Sequence, residues 1–71
     1  MKQYTVIYER GEHNWSAYVP DLPGCIATAE TREEIQKLIR EAIEFHLEGM
    51  RLQGESIPEP TTEAGKVEVA V

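Results

Sequence analysis

A chain of 71 residues has room for one domain, which we predict to span residues 1–71, and a core of this size is marginal. One cysteine permits no internal disulfide, and two histidines in no zinc-ligand spacing indicate neither a metal site nor a cofactor, so we expect a homodimer or homotetramer. Seven dispersed basic residues against 13 acidic ones argue against direct nucleic-acid binding. The net charge of −6 suits a basic protein partner, or serves solubility alone. No apolar run reaches the length of a membrane span or a signal peptide, and the unpaired cysteine predicts a cytoplasmic protein.

Two stretches near the N-terminus alternate apolar and polar residues with the period of a strand. The inward apolar residues are Tyr4, Val6 and Tyr8 in the first and Trp15, Ala17 and Val19 in the second. Gly11-Glu12 suits a two-residue hairpin turn, which places Tyr8 opposite Trp15 and Val6 opposite Ala17. The two strands then share one apolar face.

The segment Pro20–Gly24 is a turn by composition, since it holds two prolines and a glycine. A third strand follows over Cys25–Glu30. Its inward residues, Cys25, Ala27 and Ala29, are small and leave room for bulky side chains above them.

A long helix is the clearest element of the sequence. Thr31 and Glu34 have the spacing of a capping box at its start, and Gly54 is a natural end. The apolar stripe contains Ile35, Leu38, Ile39, Ala42, Ile43, His46 and Met50, with Phe45 and Leu47 on its edges. We interpret His46 as a core histidine, because its neighbours on the stripe are apolar.

Residues 55–65 form an extended connection with two prolines, and alternating valines at 67, 69 and 71 predict a final strand. A right-handed crossover would bring this strand beside the first. The predicted fold is therefore α+β with the order β-β-β-α-β, a four-stranded sheet in the order 3-2-1-4 and one helix on one face.

Such an arrangement is the opening half of a ribonuclease-H-like nuclease, which needs clustered carboxylates for two metal ions. Here the inward positions of the outer strands are tyrosines and valines, and Asp21, the only aspartate, lies in a turn. A hydrolase that uses His46 and Cys25 is a second alternative, and a base-stacking role for the aromatic residues is a third. We favour core packing for all of these side chains and expect no catalysis.

The opposite face of the sheet carries an apolar spot that one helix cannot cover. Tyr18 should lie opposite Ile26, with Ile7 diagonally nearby. This spot either contacts another chain or consists of singly exposed apolar groups.

Four segments, taken in order and spacing, resemble the HicB antitoxin family over nearly the whole chain. They are YVPDLPGC (18–25), TREE (31–34), EAIEFHLEG (41–49) and IPEP (57–60). His46 coincides with the helix histidine of the family. A departure is Ala29-Glu30, where the family often has glycine and aspartate, which affects the local turn.

The resemblance implies a partially degraded ribonuclease H fold and the binding of a small basic HicA toxin that cleaves mRNA, whose active-site histidine the antitoxin masks. The C-terminal DNA-binding domain common in the family has no counterpart in these 71 residues, so operator binding is not carried over. As contact residues for a partner or a second copy we predict Ile7, Tyr18, Asp21, Ile26 and Glu30. The alternative function is a stand-alone regulatory or ligand-binding oligomer without a toxin.

Overall fold

The computed structural model describes all 71 residues and shows one three-stranded antiparallel sheet packed against one helix. The strands are β1 (Ile7–Arg10), β2 (Trp15–Tyr18) and β3 (Ile26–Ala29), in the spatial order β1-β2-β3. The helix α1 (Arg32–Leu52) packs on β2 and β3. The α+β class is thus as predicted.

The hairpin between β1 and β2 turns one residue later than the sequence predicts. The Gly11 N–H donates to the Asn14 carbonyl at 2.7 Å, so that Glu12 and His13 form the tip of the turn. A Cβ atom at Gly11 would come within 2.9 Å of Asn14 Oδ1, and glycine permits this close approach. Tyr8 consequently pairs with Ala17, and the predicted pairing with Trp15 is wrong. Because the register differs by two residues, every side chain keeps its predicted face.

Six buried residues between the sheet and the first half of the helix form the core: Ala17, Val19, Leu22, Cys25, Ile35 and Ile39. The bulky Ile35 and Ile39 belong to the element that packs on β3, whose inward residues are small, as predicted. Partly buried side chains surround this core, among them Tyr4, Tyr8 and Trp15. The core is therefore small and aliphatic, with the aromatic rings at its border.

Leu22 is fully buried although it lies in the Pro20–Gly24 turn. Its N–H donates to the Val19 carbonyl and its own carbonyl accepts from the Cys25 N–H, both at 3.0 Å. Val19 and Cys25 are joined by a further hydrogen bond of 3.1 Å. These bonds close the turn tightly and direct its one aliphatic side chain into the core.

Both predicted helix boundaries are confirmed. The Thr31 hydroxyl accepts from the Glu34 N–H at 3.0 Å, as an N-cap does. At the other end Gly54 has φ of +73°, its N–H donates to the Arg51 carbonyl, and the Glu55 N–H donates to the Met50 carbonyl. This pair of bonds around a left-handed glycine is a Schellman motif.

The predicted four-stranded sheet in the order 3-2-1-4 is wrong, because the single chain forms three strands only. Residues 56–71 make no backbone–backbone hydrogen bond, and Val67, Val69 and Val71 are exposed. The connection is instead fastened across one end of the sheet, where the Thr5 hydroxyl donates to the Thr62 carbonyl at 2.6 Å. The alternation of valines predicted a strand with one buried face. In the structure, residues 66–71 form no strand with the rest of the chain.

Candidate protein interface

The outer face of the sheet, away from the helix, carries a row of three apolar side chains. Ile7 pairs with Tyr18 across β1 and β2, and Tyr18 pairs with Ile26 across β2 and β3. The pairing of Tyr18 with Ile26 is as predicted, whereas Ile7 lies directly opposite Tyr18 rather than diagonally. Ile7 is half-buried, Tyr18 is 40% exposed and Ile26 is 68% exposed. We call these three residues the outer row.

The charge on this face is of one sign. The next row across the strands consists of Glu9, Ser16 and Thr28, and the exposed Glu30 directly follows β3. No lysine or arginine occupies an outward position on the three strands. An apolar centre with an acidic border is complementary in charge to a basic surface.

Two basic side chains lie on the other face of the sheet, beside the helix. The Arg32 guanidinium lies 3.6 Å from the centroid of the Tyr8 ring and 5.8 Å from that of Trp15. The Arg10 guanidinium lies 6.0 Å from the Trp15 centroid. Stacking on these rings keeps both cations away from the outer row.

Asp21 is hydrogen-bonded within its own chain. Its carboxylate accepts four hydrogen bonds, from the N–H groups of Thr61 and Thr62 at 3.0 and 3.1 Å and from their hydroxyls at 3.1 and 2.7 Å. The hydrogen bonds from Thr62, first that of its hydroxyl, lower the pKa of the Asp21 carboxyl. Of the predicted contact residues, Asp21 thus has a structural role that its position in a turn did not reveal.

A groove lies open beside β1, because the helix packs on β2 and β3 and leaves the inner side of β1 partly uncovered. Its volume is about 860 Å³. The apolar part of its lining consists of Met1, Tyr4, Val6, Tyr8, Ile39, Ile43 and Leu47. We expected the helix to cover the face that carries Tyr4, Tyr8 and Trp15, and its partial cover of that face leaves an apolar recess at the edge of the sheet.

The helix has an exposed apolar stripe that our sequence reading did not separate from the core stripe. Leu38, Phe45 and Leu52 are 38, 83 and 74% exposed, and they follow one another at intervals of seven residues. Leu38 was expected in the core. The seven-residue spacing could have revealed this stripe, because residues seven apart lie on the same side of a helix. That side differs from the one that carries Ile35 and Ile39.

Cys25 and His46, the two side chains of the hydrolase alternative, differ in burial. Cys25 is buried, and burial raises the pKa of its thiol, so the reactive thiolate is disfavoured. His46 is half-buried on the helix. No three His, Cys, Asp or Glu side chains come together in a group able to hold a metal ion. None of the helical structure has both the length and the apolar character of a membrane span.

Comparison with known proteins gives relatives from a phage, an archaeon and a bacterium. An uncharacterised 14.9 kDa protein from the rep-hol intergenic region of Haemophilus phage HP1 is 36% identical over 55 residues, which cover 78% of this chain and 41% of the phage protein. A UPF0150 protein of Thermoplasma acidophilum is 36% identical over 62 residues, 86% of this chain and 90% of the relative. A UPF0150 protein of Helicobacter pylori is 39% identical over 41 residues, 58% of this chain and 57% of the relative. The chain thus spans less than half of the phage protein and nearly all of the archaeal one.

No solved structure matches the chain significantly. The sequence profile described as the HicB-like antitoxin of bacterial toxin–antitoxin systems matches residues 4–68, which include the three strands, the helix and most of the C-terminal segment. The chain therefore belongs to the HicB-like antitoxin family.

Proposed function

We propose that this protein neutralises a small basic toxin of the HicA type, an mRNA-cleaving ribonuclease, by direct contact in the cytoplasm and without catalysis of its own. Family membership supports an antitoxin role. The net charge of −6 supports a basic partner, because opposite charge accelerates encounter and favours the correct partner over others.

The observation that carries the proposal is the outer row with its acidic border. Ile26 and Tyr18 expose apolar surface at the centre of a face from which lysine and arginine are absent. Interfaces place apolar and aromatic anchors at the centre and polar groups at the rim, and a few central residues supply most of the binding energy. We therefore assign Ile7, Tyr18 and Ile26 to the centre of the toxin contact and Glu30 to its border.

Asp21 takes part differently in this proposal. Its carboxylate already accepts hydrogen bonds from Thr61 and Thr62. We therefore propose that Asp21 positions the segment next to the contact and forms no direct ion pair with the toxin. The hydroxyl and amide donors of these threonines satisfy the carboxylate without a partner.

The experiment uses the small basic protein encoded beside this chain, in a catalytically inactive form, and measures its affinity by titration calorimetry. Ile26→Lys introduces a cation at the centre of the proposed contact, and we expect at least a 30-fold loss of affinity, which corresponds to about 2 kcal/mol. Phe45→Lys is the matched control. It makes the same type of replacement on the exposed stripe of the helix, and the affinity should remain within about threefold of the wild-type value.

Two results would contradict the proposal. Loss of binding in Phe45→Lys but not in Ile26→Lys would place the toxin on the helix stripe. Absence of any neighbouring basic protein that binds the wild-type chain would favour the stand-alone regulatory module. Increasing salt provides a further test, because the association rate should fall as the charges are screened.

A further inference from the structure

The exposed apolar stripe of the helix, Leu38, Phe45 and Leu52, contributes nothing to the core of its own chain. The three side chains belong neither to the six buried residues nor to the partly buried ones that pack on them. Residues seven apart lie within about 20° of each other around a helix, so the stripe runs nearly straight along α1 for about 21 Å. We call these three residues the helix stripe.

A second set of residues with the same spacing borders the helix stripe on one side. Glu34, Glu41 and Glu48 are exposed, and each precedes a residue of the stripe by four positions, or about 40° around the helix. Glu48 forms an ion pair with Arg51 at 2.6 Å, whereas Glu34 and Glu41 form none. Two carboxylates of this border are therefore available to the cations of a partner.

Small residues border the helix stripe on its other side. Ala42 and Gly49, again seven apart, lie about 60° and 40° from Phe45 around the helix. Gly49 does not have a positive φ, and a Cβ atom at this position would meet nothing within 4 Å. Glycine inside a helix is destabilising relative to alanine, and no contact within this chain requires it here. The close approach of a second helix would require it, because small residues at a contact shorten the distance between helix axes.

The charge of the border disfavours a second copy as the occupant of the stripe. Helices with seven-residue repeats pack nearly parallel or antiparallel, and the residues that border their apolar seams meet across it. An antiparallel pair of copies would place glutamates against glutamates, and each copy carries a net charge of −6. A parallel pair would place them against positions 39, 46 and 53, where Ile39 is buried and no cation is present. An anionic lipid surface is disfavoured by the same negative charge.

We propose that the helix stripe binds an amphipathic helix of a partner protein, in which apolar residues repeat with the same spacing and lysine or arginine residues border them. The apolar side chains of the partner pack on the stripe, and its backbone approaches Gly49. Its cations pair with Glu34 and Glu41. Opposite charge on the two borders selects this partner over acidic helices.

The helix stripe is separate from the two surfaces described above. The outer row lies on the face of the sheet away from the helix. The helix side of the groove beside β1 includes Gln36, Ile43 and Leu47, which lie about 160–180° from Phe45 around the helix. Binding at the stripe is therefore additional to the proposed toxin contact.

The test uses a fluorescein-labelled peptide of three heptads, with leucine at the two apolar positions of each heptad and lysine at the two flanking positions. Its binding to the full chain is measured by fluorescence anisotropy, and the wild type should bind it in the micromolar range. Phe45→Lys should weaken binding by about 30-fold or more. Ile26→Lys is the matched control, since it makes the same type of replacement on the outer row, and it should remain within about threefold of wild type.

Two altered peptides separate the contributions of charge and apolar contact. A peptide with glutamate in place of every lysine should bind the wild-type chain about tenfold more weakly or less, because its border repels that of α1. A peptide that keeps the lysines but has serine in place of the leucines should be weakened to a similar extent, because charge alone supplies little affinity.

Gly49→Gln tests the close approach directly. Glutamine favours the helix more than glycine does, so the stability of the chain should be retained or increased. Its side chain would nevertheless keep the two helices apart and should weaken peptide binding by about tenfold. Glu44→Gln is the control, since it places glutamine at an exposed helix position that lines the groove beside β1, and its affinity should stay within about twofold of wild type.

Equal affinity for the lysine and glutamate peptides would overturn the inference, as would unchanged binding by Phe45→Lys or by Gly49→Gln. A dimer in light scattering that Phe45→Lys converts to a monomer would overturn it in favour of a second copy. Sedimentation of the wild type, but not of Phe45→Lys, with phosphatidylcholine–phosphatidylglycerol vesicles would overturn it in favour of a lipid surface. No toxin is present in these measurements, so their failure leaves the toxin contact on the outer row standing, and loss of toxin binding in Ile26→Lys leaves the helix stripe standing.

Discussion

Replacement of Leu22 by alanine tests whether the turn between the two prolines is part of the core. The side chain is completely buried, and it is one of only six buried residues. Leucine-to-alanine changes at such sites cost about 3 kcal/mol or more, through lost transfer energy and the cavity left behind. The whole domain is expected to have an unfolding free energy of about 4–10 kcal/mol at this length. The single change should thus remove a third or more of the stability and lower Tm by roughly 12–24 °C.

The assay is urea unfolding followed by Trp15 fluorescence and by circular dichroism, at one fixed protein concentration because association changes apparent stability. Leu52→Ala is the control, since this leucine is 74% exposed and its loss should change the free energy of unfolding by no more than about 0.5 kcal/mol. A loss below about 1 kcal/mol for Leu22→Ala, with an unchanged dependence on urea, would refute the reasoning.

Two further predictions concern the helix end and the fastened carboxylate. Gly54→Ala forces a side chain into φ of +73° and should destabilise the protein by about 1 kcal/mol, whereas Gly49→Ala inside the helix should stabilise it by about 0.5–1 kcal/mol; equal effects of the two in urea unfolding would contradict the Schellman assignment. Asp21→Asn should destabilise the protein at pH 7. Because the folded-state pKa of Asp21 is lowered, its contribution is complete above the unfolded value of about 3.9 and is lost as the pH falls through the folded-state pKa. Unfolding curves of wild type and Asp21→Asn should therefore converge below about pH 4, and a constant difference down to pH 2 would contradict this role.

The periodicity of apolar residues predicted those elements whose local sequence pattern matches the contacts they make in the folded protein. The helix runs between Thr31 and Gly54 as expected, because cap residues and the apolar stripe give the same boundaries. Tyr18 faces Ile26 because alternation fixes the face of each residue and the short β2–β3 turn fixes the register.

The remaining features depend on contacts between distant residues, which no local pattern encodes. Leu22 is a lone aliphatic residue in a turn and has no period to reveal its burial. The hydrogen bonds of Asp21 with Thr61 and Thr62 join residues 40 and 41 positions apart. For the same reason alternation at 67, 69 and 71 indicated a strand but not the sheet that would receive it.

The candidate contact surface was predictable in part. Ile7, Tyr18 and Ile26 follow from alternation, since one helix covers one face only. The exposure of Phe45 was not predicted, because this residue borders the apolar stripe in the sequence. The position of the helix over β2 and β3 decides which of its sides faces solvent.

The hydrogen bonds of Asp21 mark the point at which the chain stops being attached to the domain. Thr62 is the last residue that makes a hydrogen bond to the rest of the chain, and the exposed Lys66 beyond it offers a site to a protease that cleaves after basic residues. Trimming there would remove the three valines and leave the strands, the helix and the outer row intact. The toxin contact proposed for the outer row therefore does not depend on the residues after Lys66.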